Sequence, residues 1–144
     1  MPTHLSILVS VASPLDYARY RHASLYFQFD HETEAIKSSL MEVVGSPGFF
    51  SFSERVNSEL PSSSTNLARV IQVSSIPDTV PVSSLQRIVA DTPILNDDTD
   101  WNSQNWVGDT LERLVAVGYL DAEAQGRGLD EMVDAIMEAT DEKF

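Results

Sequence analysis

Ser103 sits where a hydroxyl could do chemistry. It lies in Asp100-Trp101-Asn102-Ser103-Gln104-Asn105-Trp106-Val107, a polar turn holding the only two tryptophans of the chain and opening into an amphipathic helix. A helix start gathers unpaired backbone N–H groups and the positive end of the helix dipole. A nucleophilic side chain there gains stabilisation for its anionic form, and so does an oxyanion bound beside it. His22 is the second such group. It begins a segment in which Ala23, Leu25, Phe27 and Phe29 share one face and His22, Ser24, Tyr26 and Gln28 the other, so the imidazole leaves the strand on the side away from the core. Each residue also has a plain use. Ser103 can cap the helix, His22 can be a surface histidine at a strand end, and Trp101 and Trp106 can be packing. His4 and His31 carry no assignment.

The elements that must position these groups follow from the patterning. Leu5 to Val11 alternates weakly and reads as a strand, closed by Ser13-Pro14. Residues 22–29 form the clearer strand. After the polar turn Asp30-His31-Glu32-Thr33-Glu34, Ser38 to Val44 is its antiparallel hairpin partner, with Glu42 interrupting an apolar run. Gly45-Ser46-Pro47-Gly48 stops it, and Phe49 to Val56 reads as another strand. Leu60 to Asn66 is a loop by composition, and Ala68 to Val73 a further strand. Ser83 or Ser84 is expected to cap a short helix carrying Leu85, Ile88 and Val89. The Asn96–Asp100 loop lacks the glycine and closing glutamate of a calcium loop, so capping and helix-dipole roles are expected of its aspartates. A helix from about 103 to 117 has Val107, Leu111, Leu114 and Val115 at core spacing, with Gly118 as its stop. A polar break holding Gly126 and Gly128 should follow. Leu129, Met132, Val133, Ile136 and Met137 then form a second stripe, suited to the core or to a partner surface, a homodimer included. Strands followed by helices give an α+β fold, an antiparallel β-sheet with packed helices, as one domain over 1–144.

Bulk composition bounds the function. With 144 residues and 42% hydrophobic content, the chain can bury a sizeable core. The formal charge is −13, with 22 acidic against 9 basic residues. That sign opposes a phosphate backbone, so nucleic acid is not an expected partner, and the charge reads first as solubility. No apolar run is long enough for a membrane span. The short apolar run near the N-terminus lacks a preceding basic segment, and a cytoplasmic location is expected. Cysteine is absent, which excludes disulfides, thiolate metal sites and thiol catalysis in the chain as written. No metal and no cofactor is expected.

A histidine on an early strand followed by a nucleophile at a late helix start resembles the circularly permuted branch of the papain-like enzymes, the lecithin:retinol acyltransferase-like proteins and PPPDE-type isopeptidases. Arg21-His22-Ala23-Ser24-Leu25-Tyr26 looks like the histidine strand of that branch, and Leu40-Met41-Glu42-Val43-Val44-Gly45 like its hairpin partner. Asn102-Ser103-Gln104-Asn105-Trp106-Val107 is similar to the Asn-Cys-x-x-Phe/Trp-Val signature of the catalytic helix. The chain also resembles small fungal proteins carrying Trp-Asn-Cys-Gln-x-Trp-Val. The resemblance covers roughly residues 20 to 120.

It implies a permuted papain-like fold and acyl transfer at an amide, thioester or isopeptide carbonyl of a small-molecule or peptide substrate. Ser103 then replaces the nucleophile and His22 is general base, later general acid. Backbone N–H groups at Ser103 and Gln104, with Asn102, cradle the oxyanion and position the substrate. Glu42 orients the imidazole, in a place where the acyltransferase-like group tends to have a second histidine. Trp101, Trp106 and Tyr26 are candidates for contacting the substrate. The family's cysteine is serine here. A thiol near pKa 8.5 ionises beside an imidazole and a helix dipole, whereas a hydroxyl needs general-base help during attack. The serine is then either an engineered replacement or native to a degenerate member. Two other readings stand beside this one: a non-catalytic acidic interaction domain, and a small-molecule tailoring enzyme using His22 for acid–base work.

Overall fold

Strict alternation makes His22–Phe29 the central strand, β2, in a sheet whose strands are β1 (Thr3–Ser10), β2, β3 (Ser38–Val44), β4 (Ser51–Val56) and β5 (Leu67–Ile76). The structure, a computed structural model, describes residues 2–12, 16–30, 35–57 and 67–139. The five strands run antiparallel in the order β4-β3-β2-β1-β5. Among the described residues three helices follow the strands: α1 (Val82–Ala90), α2 (Ser103–Ala116) and α3 (Ala122–Met137). The α+β architecture expected from the patterning is therefore present. Among the described residues no helix is long and apolar enough to cross a membrane.

One face of the sheet carries the core. Leu5, Ile7 and Val9 of β1, Ala23, Leu25 and Phe27 of β2, Met41 and Val43 of β3, and Ile71 and Val73 of β5 are buried with Trp106, Leu111 and Leu114 of α2 and Met132, Ala135 and Ile136 of α3. Period two in the strands and period 3.6 in the helices bring these sets together. Helix α2 lies on β2 and β3, and α3 on β5 and β1. On the other face Leu8, Tyr26 and Leu40 form a smaller buried cluster.

The β2–β3 register runs from Gln28↔Ser38 to Leu25↔Met41, whereas β2 pairs with β1 all the way to His22. The first residues of β2 are thus paired on one side only, and α2 begins at the place this leaves.

Several expectations need correcting. Neither Ser83 nor Ser84 caps α1. The cap is Pro81, whose carbonyl accepts from the N–H groups of Ser84 and Leu85. Gly126 and Gly128 do not break the chain but lie inside α3, which starts at Ala122 with Asp121 as its cap. Each interior glycine disfavours a helix by about 1 kcal/mol. Here tertiary packing outweighs propensity: a Cβ on Gly128 would come within 3.2 Å of Val73 Cγ2, so the glycine lets α3 sit close on β5. The 129–137 stripe splits, with Met132 and Ile136 buried and Val133 and Met137 exposed. Strand β4 starts at Ser51 and β5 reaches Ile76, beyond the expected Val73. A short 3-10 turn, Ala18–Tyr20, occurs in the connector before β2. The expected turn around His31–Glu34 and the loop around Leu60–Asn66 fall on positions outside the described residues.

Candidate functional site

The first turn of α2 is built by its own polar residues. The N-cap is Asn102, not Ser103: its Oδ1 accepts from the Gln104 N–H (2.9 Å), and its own N–H donates to Asn105 Oδ1 (3.0 Å). This reciprocal pair is a capping box with asparagines in both roles. Ser103 is therefore the first helical residue, buried at 4% exposure. Its Oγ accepts from the Ala23 N–H at 3.1 Å. The hydroxyl so occupies a place that a carbonyl of β3 would fill if the β2–β3 ladder continued.

That contact sets Ser103 beside the residue following His22. The two side chains line one cavity of about 370 Å³. Arg19 and Tyr20 form one wall, Gly45, Pro47 and Phe50 another, and Thr99, Asp100 and Asn102 a third. No hydrogen bond joins the His22 ring to the Ser103 hydroxyl among the described contacts. The ring instead bonds through Nε2 to Glu42 Oε1 at 2.6 Å, with the histidine side chain 35% exposed and the glutamate 11%. Period two puts both on the sheet face opposite the core, which is how a residue of β3 reaches one of β2.

Burial alone would push the Glu42 carboxyl upward. The hydrogen bond and charge of His22, with the Arg55 guanidinium at 3.4 Å from Oε2, more than offset it and hold the carboxyl below its ordinary 4.5. An ionised carboxylate only accepts, so His22 donates from Nε2 and a neutral ring carries its lone pair on Nδ1. The folded protein binds the Glu42 proton more weakly than the unfolded chain does. The resulting stabilisation is complete above pH 4.5 and is lost as pH falls through the lowered folded value. Glu42→Gln should accordingly be less stable than the parent at neutral pH, with the gap narrowing in acid. Urea titrations on both sides of this range check it, and a gap independent of pH contradicts it.

The connector ahead of β2 is tied down on both sides. Gln104 Nε2 donates to Ala18 O (2.8 Å) and to Arg21 O (2.9 Å), and Asn102 Nδ2 donates to Arg19 O (3.1 Å). The buried Arg21 side chain grips both Asp16 oxygens, at 2.9 and 2.7 Å, and donates to Ala135 O near the end of α3 at 2.6 Å. The Asp16 hydrogen bond holds this guanidinium above its usual value despite burial.

Of the residues singled out from sequence, His22, Ser103, Glu42, Asn102 and Gln104 thus come together. The aromatic candidates do not. Trp106 is fully buried against Phe52, with ring centroids 6.1 Å apart, because position 106 lies one turn along the inward face of α2. Trp101 is buried edge-on to Phe50 and donates from Nε1 to Asp109. Tyr26 packs with Leu8 and Leu40 on the second sheet face. None of the three lines the cavity. The Gln104 N–H expected to hold an oxyanion is occupied by the Asn102 cap, which leaves the Ser103 N–H as the helix-start donor. Sequence reasoning missed Arg19, Tyr20, Pro47 and Phe50 as walls; their signal was proximity to the His22 and Gly45 turns.

A wider groove of about 900 Å³ runs along β5 and includes His4 and Ser75, which are 3.3 Å apart. Its histidine is 47% exposed and 3.7 Å from Asp30. A solvated contact of this kind neither orients nor activates the ring, so the smaller cavity is the better candidate. Among the described residues no group of three or more histidine or acidic side chains could hold a metal ion. Comparison with protein-family models, with curated proteins and with solved structures found no match to this chain.

Proposed function

We propose that this chain is a permuted papain-like hydrolase or acyltransferase scaffold with serine at the nucleophile position, acting in the cytoplasm on an amide, thioester or isopeptide of a small molecule or peptide. The observation that carries this reading is the 2.6 Å His22–Glu42 bond at the edge of a cavity that also holds a helix-start hydroxyl. A carboxylate fixing one ring nitrogen leaves the other as base, and a nucleophile on a helix N-terminus needs such a base beside it.

The chemistry is acyl transfer. The oxygen at position 103 attacks the substrate carbonyl and forms an ester, its proton passing to His22 Nδ1. The same proton then goes to the departing amine or thiol as that bond breaks. The Ser103 N–H faces the developing oxyanion. The Ala23 N–H holds the hydroxyl as an acceptor, which leaves its proton to be given away. A hydroxyl that is not already bonded to the imidazole is a poor nucleophile, so the chain as it stands binds acyl substrates and turns them over slowly.

Ser103→Cys tests the pairing. The new thiol should be alkylated by iodoacetamide near neutral pH, and adding His22→Ala should slow this by tenfold or more, about one unit in the thiol's apparent pKa. Equal labelling with and without His22 would rule the pairing out.

A further inference from the structure

The hydrogen bonds around His22 show an asymmetry. The peptide group before it, through Arg21 O, is held by Gln104 Nε2, and the peptide group after it, through Ala23 N–H, is held by Ser103 Oγ. Two consecutive residues of α2 therefore grip the two peptide planes on either side of one α-carbon. The ladder to β3 does not reach this point, ending at Leu25↔Met41. On that side the helix start replaces the missing strand. Gln104 binds Ala18 O with the same amide nitrogen, so the 3-10 turn and the histidine backbone are drawn to one donor group.

We propose that Gln104 is a positioning residue for His22: its side-chain amide, not its backbone N–H, sets the imidazole relative to position 103. This rests on the reading of the site given above. Two planes fixed to adjacent residues of a rigid helix leave the His22 backbone little freedom, and Glu42 then fixes the ring. Without the amide, Arg21 O loses this donor; the pairing with β1 through Ser10↔His22 persists, but on the helix side only the Ser103 contact remains to hold the planes. A base displaced by about 1 Å forfeits much of its effect on a nucleophile. Asn102 and Asn105 make the contrasting case. Their capping box stabilises α2 without contacting the planes that flank His22.

The test uses the full chain carrying Ser103→Cys, alone and with Gln104→Met, a near-isosteric change that removes both donors. Iodoacetamide alkylation is followed across pH. Gln104→Met should raise the midpoint of the pH profile by about one unit and slow the reaction ~10-fold at neutral pH. Asn105→Ala breaks the capping box and should lower the unfolding midpoint while leaving the pH profile in place. A merely structural Gln104 would lower stability and rate at every pH with no displacement of the profile, and that result overturns the proposal. So does an equal displacement by Asn105→Ala.

A second measurement does not depend on reactivity. In the chain with Ser103 intact, the His22 ring nitrogens are observed by nuclear magnetic resonance with and without Gln104→Met. The Nε2–H signal held by Glu42 should broaden or vanish in the variant; an unaltered signal refutes the positioning role of Gln104. If the cysteine variant shows no His22-dependent alkylation, the acyl-transfer reading fails, and the ring signal still decides whether Gln104 places the histidine.

Discussion

Trp106→Ala is expected to destabilise the protein by ~3–5 kcal/mol, the range for deleting a fully buried large aromatic. Against total stabilities of about 5–15 kcal/mol for a domain, this is about a fifth or more of what holds the chain folded. Trp106 is wholly inaccessible, on the face of α2 that meets β2 and β3, and Phe52 of β4 lies against it. Truncation leaves a cavity in the middle of the contact that seats the helix start under the sheet. Trp106→Phe should behave quite differently. The Trp106 Nε1 is buried with no hydrogen-bond partner among the described residues, and such a donor carries a penalty of about 1–3 kcal/mol. Phenylalanine removes that donor and keeps most of the ring. The loss should then be well under half that of alanine. Urea unfolding midpoints of the two variants decide the matter, and equal losses would mean that the indole N–H is satisfied.

Gly45→Ala is the second large effect, and it acts on the wall of the cavity. Gly45 has φ of +121°, and a Cβ there would stand 2.6 Å from the backbone oxygen of Phe49. The contact is with backbone, so it cannot be relieved by turning a side chain. Either the 45–50 turn opens or the strained conformation is kept, at about 1–3 kcal/mol plus the clash. Gly118 supplies the comparison, since it has φ of +83° after the end of α2 but nothing within 4 Å of the added carbon. Gly118→Ala should therefore lose only the αL penalty, of order 1 kcal/mol. Thermal unfolding of both variants checks the ranking. A Gly45→Ala variant no less stable than Gly118→Ala would show that the turn is not packed as described.

Much of the site was legible because two short-range periods generate it. Period two sets His22 and Glu42 on one face of neighbouring strands, and an amphipathic pattern after Asn102 marks a helix start at Ser103. What could not be read was the division of labour inside Asn102-Ser103-Gln104. Serine and asparagine are near-equal caps, and the choice fell on Asn102 because Asn105 completes its box while Ser103 finds Ala23 in space. The Gln104 side chain has partners 83 and 86 positions away, a separation that leaves no local trace. The error at Gly126 and Gly128 has the same origin: propensity counts against glycine, and only the distance to Val73 shows what Gly128 is for. The tryptophans admitted two uses, packing and substrate contact, and the structure has them packed. Two aromatic rings bracketing a polar turn look like a platform, but Trp106 faces inward from α2 onto Phe52, and Trp101, ahead of the helix, is buried edge-on to Phe50.

Asn96 bonds the Phe50 backbone on both sides, accepting from its N–H at 2.9 Å and donating to its carbonyl at 3.0 Å. One side chain thus imitates a neighbouring strand, and Phe50 further meets Trp101 edge to face at 5.9 Å. The loop after β3 and the segment leading into α2 are consequently welded into a single lip. On the acyl-transfer reading proposed above, an aperture with such a lip would admit guests by fit to a preset outline instead of folding around them, so little ordering entropy would be forfeited on entry and bulk near the scissile bond would be the natural criterion of choice.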